Sequence, residues 1–265
     1  MDLKAAGYTR NESEINSVVR MVDVQKTYDN GNTAVEGVNL TINEGDFVSF
    51  VGPSGCGKST IFKMVAGLTD ITEGHINLLN KEVESEERDS KELAYVFQDA
   101  TLLPWLNVFK NISLPLKFQN ISKKVQREMV LEVLELVGLE GYEASMPREL
   151  SGGMKMRVSI ARALVAKPKL LLMDEPFGAL DEITRQNLQE ELLRIWGSQK
   201  MTVLFITHNV FESVYLSNKV AVMTPSPGKI ETTMNVPLSY PRVPEVRTDA
   251  EFSSLVAAVS EKLKH

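Results

Sequence analysis

The run Asp46-Phe-Val-Ser-Phe-Val-Gly-Pro-Ser-Gly-Cys-Gly-Lys-Ser-Thr-Ile-Phe-Lys-Met-Val-Ala-Gly67 reads as a β-rich apolar stretch, a glycine loop and a short helical pattern closed by glycine. Within it, Gly52 to Ser59 follow the phosphate-loop pattern of glycine, four residues, glycine, lysine and a hydroxyl residue, in the strand-to-helix context that pattern requires. The loop Gly52, Pro53, Ser54, Gly55, Cys56 and Gly57 can curl until successive backbone N–H groups converge on phosphate oxygens, and the positive end of the following helix dipole adds to the attraction. Lys58 supplies a point charge for the β- and γ-phosphates, Ser59 a hydroxyl for Mg²⁺, and Thr60 a further phosphate contact. Cys56 suggests a nucleophile or redox switch only until one notes that the loop works through its backbone.

Downstream, Leu170-Leu-Leu-Met-Asp174-Glu175 is an apolar strand ending in two carboxylates. Alone, such a pair can simply cap a strand end; beside a phosphate loop, Asp174 becomes the candidate metal-site acid and Glu175 the candidate base for an attacking water. Val203 to Thr207 is another buried strand, and His208 follows it at the carboxyl edge where open α/β sheets bind ligands. Helical patterns precede both strands, which predicts a doubly wound parallel sheet. Leu150-Ser151-Gly152-Gly153 opens a helix and offers a second anion site of hydroxyl and glycine N–H groups. By itself that turn says little, but two phosphate-binding elements in one chain call for an explanation.

Working outward, Val18 to Val24 and the turn signals Asp29-Asn30-Gly31 and Glu44-Gly45-Asp46 predict a strand-rich beginning, after a polar tail over residues 1–17 that lacks the apolar core of a secretory signal. Lys81 to Glu92 is a charge run that reads as a solvated loop. Ser122 to Val137 predicts an amphipathic helix with Val125, Met129, Val133 and Val137 on one face. After Val236, prolines punctuate an expected linker, and Thr248 to Glu251 reads as a capping box before a short helix carrying Phe252, Leu255, Val256, Val259 and Leu263. The chain has 265 residues, a formal net charge of −6 and one cysteine, which gives no support to bulk attraction for nucleic acid and none to a disulfide framework. Its apolar runs fall well short of the roughly 18 residues of a spanning helix, so any membrane role runs through a partner.

Taken together, Tyr28, the loop from Gly52 to Thr60, Gln98, Leu150 to Gly153, Asp174-Glu175, Ala179-Leu180-Asp181 and His208 resemble the ATP-binding cassette (ABC) ATPase family over roughly residues 18–230. The resemblance implies an α/β fold: a phosphate-loop (RecA-like) core with a parallel sheet, an N-terminal antiparallel β subdomain and a helical signature subdomain over about 99–163. The ATPase domain would occupy 18–235, with a linker and amphipathic helix over 236–265. It also implies that Tyr28 stacks on adenine, that Ser59, Gln98 and Asp174 serve Mg²⁺, and that Glu175 and His208 are catalytic. Ser151, Gly152 and Gly153 would close over ATP held by a second copy or paired subunit, with Asp181 at the dimer interface. Met154 departs from the family pattern, which usually has glutamine there.

Further stretches, Leu102 to Leu116, Met173 to Trp196 and Val220 to Ile230, resemble importers of nitrate, taurine, sulfonates and bicarbonate. This implies transmembrane permease subunits, indirectly a solute-binding protein, and a peripheral place on the cytoplasmic face of the membrane. Leu102-Leu-Pro-Trp105 stands where such ATPases receive the permease; an exposed Trp105 suits a docking anchor and a buried one a core role. The competing expectation is a soluble ABC ATPase of an assembly machine such as iron–sulfur biogenesis. A GTPase is disfavoured because Asn218-Lys219 is followed by Val220-Ala221, without the base-reading aspartate.

Overall fold

The computed structural model describes residues 17–79, 81–82, 92–119, 121–178 and 180–264. The expected tail lies outside the described residues except for Ser17, as do most of the Lys81 to Glu92 charge run and Ala179. In chain order the elements are β1 (Ser17–Thr27), β2 (Thr33–Asn43), β3 (Phe47–Val51), α1 (Lys58–Val65), β4 (Glu73–Leu78), β5 (Lys81–Glu82), β6 (Leu93–Val96) and α2 (Val108–Ile112). There follow α3 (Lys123–Leu136), α4 (Gly152–Leu164), β7 (Leu170–Asp174), α5 (Glu182–Gln199), β8 (Thr202–Ile206), α6 (Val210–Leu216), β9 (Lys219–Met223), β10 (Ile230–Asn235) and α7 (Ala250–Lys262).

The strands form two sheets, an antiparallel one in the order β2-β1-β4-β5 and a six-stranded one in the order β10-β9-β3-β8-β7-β6. In the second, β9, β3, β8, β7 and β6 are parallel and β10 is antiparallel. Every residue of β3, β7 and β8 is buried, as strands covered on both faces must be. Their side chains divide by the period-2 rule: Phe47, Leu171, Met173, Val203 and Phe205 join a core with the helices, whereas Val48, Phe50, Leu172, Leu204 and Ile206 join one with α1 and the antiparallel sheet. The parallel register, Phe50 and Asp174 both opposite Ile206, brings the carboxyl ends of β3, β7 and β8 to one edge.

Three expectations need correction. In α3 the buried residues are Val130, Val133 and Leu134, with Val137 just beyond, while Val125 is exposed. A spacing of four advances about 400° in an α-helix, so a stripe drawn through every fourth residue slides off the core face within three steps. The capping box at Thr248 does not form: Asp249 occupies the N-cap of α7 without a side-chain cap bond, and the Thr248 hydroxyl donates to the Glu245 carbonyl. Finally, the proline-punctuated stretch after Val236 is packed rather than free. Buried Arg242 donates to the carbonyls of Val214, Tyr215, Ser217 and Leu238, closing the end of α6, and Tyr240 donates to the Leu216 carbonyl.

Candidate functional site

The loop between β3 and α1 is shaped by Gly55 and Gly57, both in left-handed backbone at φ 79° and 93°. At Gly57 a Cβ would also stand 2.7 Å from the Ala34 carbonyl oxygen, so β2 and the loop touch backbone to backbone. Lys58 is buried and its Nζ donates to the carbonyls of Gly52 (2.8 Å) and Pro53 (2.9 Å), so the ammonium lies inside the curl. The Tyr28 hydroxyl lies 3.4 Å from Thr60 Oγ1, with the Lys26 ammonium over its half-exposed ring.

Opposite, the Ser59 hydroxyl donates to Asp174 Oδ1 (3.1 Å) and the Tyr95 hydroxyl to Asp174 Oδ2 (3.3 Å). Burial pushes the Asp174 carboxyl up, opposed by these two hydrogen bonds, while the neighbouring Glu175 charge pushes it further up. Burial, then the Asp174 carboxylate, raises the Tyr95 phenol. Sequence reasoning missed Tyr95; its signal would have been an aromatic hydroxyl on the strand that pairs with β7.

Glu175 has φ 47°, left-handed backbone that a non-glycine residue holds only under constraint. Its N–H donates to the Ile206 carbonyl (3.1 Å) and its own carbonyl accepts from Gly178 (3.2 Å). The result aims Glu175 Oε2 at His208 Nδ1, 3.3 Å away. A cleft of about 30 Å³ adjoins the pair, lined by Phe177, Gly178, Arg185, Thr207 and Asn209 among others. Gln98 lies exposed two residues past β6, at the same sheet edge. The segment that follows it is tied to α4, because Arg162 donates to the carbonyls of Ala100 (3.1 Å) and Thr101 (3.0 Å).

Ser151 is the N-cap of α4 and its hydroxyl accepts from the Met154 N–H (3.2 Å). That contact uses the Met154 backbone, and the side chain packs on the helical core. Ser151 and Gly152 are exposed, Gly153 is half-buried, and none of the hydrogen bonds described for them reaches the Gly52 to Thr60 loop. Asp181 is the exposed N-cap of α5, where the Thr184 N–H (3.0 Å) holds its carboxyl below the usual range. The chain thus brings together Tyr28, Gly52 to Thr60, Asp174, Glu175 and His208, and leaves Ser151 and Gly152 exposed.

Gly228 also went unread. Its N–H donates to the Ala34 carbonyl, its carbonyl accepts from Glu36, and a Cβ there would stand 1.8 Å from the Cys56 carbonyl oxygen. The β9–β10 hairpin therefore wedges against the back of the phosphate loop. No local pattern announces this, since the contact exists only once β9 lies beside β3.

A family model described as ABC transporter matches residues 35–178. The chain is 44% identical to the aliphatic sulfonates import ATP-binding protein SsuB of Bacillus thuringiensis subsp. konkukian (strain 97-27), over 87% of this chain and 88% of that one. It is 43% identical to SsuB of Bacillus subtilis (strain 168) over 84% of each. Among solved structures, a dimeric post-hydrolysis state of the ATP-binding cassette MJ0796 bound to ADP and Pi is 32% identical, covers 83% of this chain and all of that one, and superposes with a TM-score of 0.76.

Proposed function

The chain belongs to the ABC transporter family of ATP-hydrolysing subunits, and from that premise we propose that it drives uptake of a small anionic solute, of aliphatic sulfonate type, through a membrane permease it docks against. The observation that carries the ATP-hydrolysing part of this reading is the meeting of Lys58, Ser59, Asp174, Glu175 and His208 at one sheet edge, with the Ser59–Asp174 and Glu175–His208 pairs side by side.

The residues fit Mg²⁺-ATP. Gly55 and Gly57 give the loop its anion-binding curl, and a hydroxyl with a single carboxylate is the oxygen set that suits a magnesium ion completing its shell with water and substrate phosphates. Ser59 and Asp174 would hold that ion with Gln98, and it would neutralise charge developing on the phosphates. Lys58 would exchange its two carbonyl partners for β- and γ-phosphate oxygens. Tyr28, beside Thr60, offers a platform for adenine. Glu175 accepts a proton from water, for which the adjoining cleft of about 30 Å³ leaves room, and His208 orients Glu175 and contacts the γ-phosphate side.

Ser151, Gly152 and Gly153, at the start of α4, complete the site of a second copy or paired subunit, with Asp181 at the dimer interface. ATP-driven closure of that pair is the proposed power stroke. Trp105, 70% exposed, sits on a segment braced by buried Asn111, whose amide bonds the backbone of Leu103, Leu106 and Asn107. A rigid exposed aromatic is what a permease helix can grip. Among the described residues no helix is long and apolar enough to cross a membrane, in keeping with a peripheral subunit. The sulfonate reading rests on the names of the relatives. Its test is deletion of the gene: sulfonate uptake should stop, and return with the wild-type chain but not with Lys58→Ala. Undiminished uptake in the deletion strain would refute the assigned solute.

A further inference from the structure

Of the two neighbours of His208, Thr207 is held by the buried carboxylate of Glu212, and Asn209 by the Thr207 hydroxyl and the Glu212 backbone N–H. The Thr207 hydroxyl donates to Glu212 Oε2, the Asn209 N–H donates to Thr207 Oγ1 (3.0 Å), and the Glu212 N–H donates to Asn209 Oδ1 (3.2 Å). Glu212 is 7% exposed, a position where a carboxylate is costly unless its oxygens are well used. Its second oxygen accepts from Gln189 Nε2 of α5 (2.8 Å), and Gln189 Oε1 accepts from Arg247 (3.0 Å). Arg247 lies in the single turn Pro244–Thr248, its guanidinium 3.6 Å from the ring of buried Tyr215, with Glu190 as its ion-pair partner. Tyr215 in turn donates to the Arg242 carbonyl.

Arg247 can only donate, which turns the Gln189 oxygen outward and its amide nitrogen towards Glu212. The ionised Glu212 carboxylate accepts from Gln189 at one oxygen and from Thr207 at the other. Such a network orders its members only when each is satisfied. A second contact runs parallel to it, Phe252 of α7 against Phe211 of α6, with ring centroids 6.2 Å apart. Arg247 and Phe252 both lie well beyond residues 35–178.

We infer that Arg247, Gln189 and Glu212 are positioning residues for hydrolysis, through which the carboxyl-terminal segment holds His208 against Glu175. The inference rests on the proposed role of His208 at the γ-phosphate side. Loss of the Arg247 end frees the Gln189 amide to turn, Glu212 loses its fixed donor, and the Thr207–Asn209 turn loosens while the Gly52 to Thr60 loop stays intact.

The test compares the full chain with Arg247→Met and Gln189→Met, which keep the side-chain stems. A cleft of about 330 Å³ beside Gln189, Glu212 and Arg247 gives the altered side chains room. Histidine ring ¹H–¹³C spectra resolve three residues, and His208 is assigned by its loss in His208→Ala. Both variants should displace the His208 resonance and lower kcat by about tenfold, with KM for ATP within about twofold, since ångström-scale misplacement of a reacting group costs rate rather than ground-state binding. An unmoved His208 resonance in both variants overturns the relay, whether or not kcat falls, because a fall then reflects lost stability alone. A displaced resonance together with wild-type hydrolysis by His208→Ala overturns instead the role of His208, and with it any catalytic meaning of the relay.

Discussion

Gly228→Ala isolates the wedge behind the phosphate loop. A Cβ there would stand 1.8 Å from the Cys56 carbonyl oxygen, against a nearest tolerable approach of 3.0 Å, so hairpin and loop must part by at least the difference. If the hairpin yields, it breaks the hydrogen bonds joining Gly228 to Ala34 and Glu36, both 3.0 Å long, at a cost of about 1–3 kcal/mol for the two. If the loop yields, its N–H groups leave the positions from which they bind phosphate, and loss of one such charge-assisted hydrogen bond, about 1.5–3 kcal/mol, weakens ATP binding by about 10- to 100-fold. Calorimetric titration with Mg²⁺-ATP and thermal unfolding read the two routes separately. Gly197→Ala is the control: it sits in α5 with open space where its Cβ would go, so alanine there should stabilise by about 0.5–1 kcal/mol and leave ATP binding alone. Wild-type affinity and an unchanged melting temperature for Gly228→Ala would refute the wedge.

Arg242→Met removes the donor from four buried carbonyls and should cost about 3–5 kcal/mol in urea unfolding; a loss under about 1 kcal/mol would mean water replaces it at no penalty. Trp105→Ala, at an exposed position, should leave the fold and basal ATPase unchanged in the isolated chain while abolishing permease-stimulated turnover and co-purification. Burial holds the Glu212 carboxyl above its ordinary value of 4.5, against the pull of Thr207, Gln189, Arg185 and His208. The folded chain then binds that proton more tightly than the unfolded one, so the contribution of Glu212 to stability falls as pH rises from about 4.5 through the folded value. Glu212→Gln should flatten that limb in urea melts taken across a pH series; an unchanged slope would refute the assignment.

What was legible in the sequence was whatever is carried by neighbours along the chain. Gly52 to Thr60, the carboxylates ending β7 and the histidine after β8 each announce themselves within a few residues, and the parallel register assembles them without further information. The buried strands were equally plain, because residues covered on both faces are apolar throughout. What escaped depends on contacts between distant segments. Gly228 matters only because β9 pairs with β3, and Tyr95 only because β6 pairs with β7. Prolines after Val236 suggested a linker, since a segment without periodicity offers no apolar face; its order comes from Arg242 and Tyr240 bonding to carbonyls that α6 leaves open. The Glu212 relay was invisible for the same reason, as its members come from α5, α6, the link between β8 and α6, and the turn before α7.

We propose that ATP is hydrolysed at a site which Glu175 completes and which two copies share. Light scattering on Glu175→Gln with saturating Mg²⁺-ATP tests it most directly. The expected result is a stable dimer that retains ATP, does not turn it over and falls apart when ADP replaces ATP. A variant that stays monomeric with ATP bound, or hydrolyses it at the wild-type rate, would contradict it.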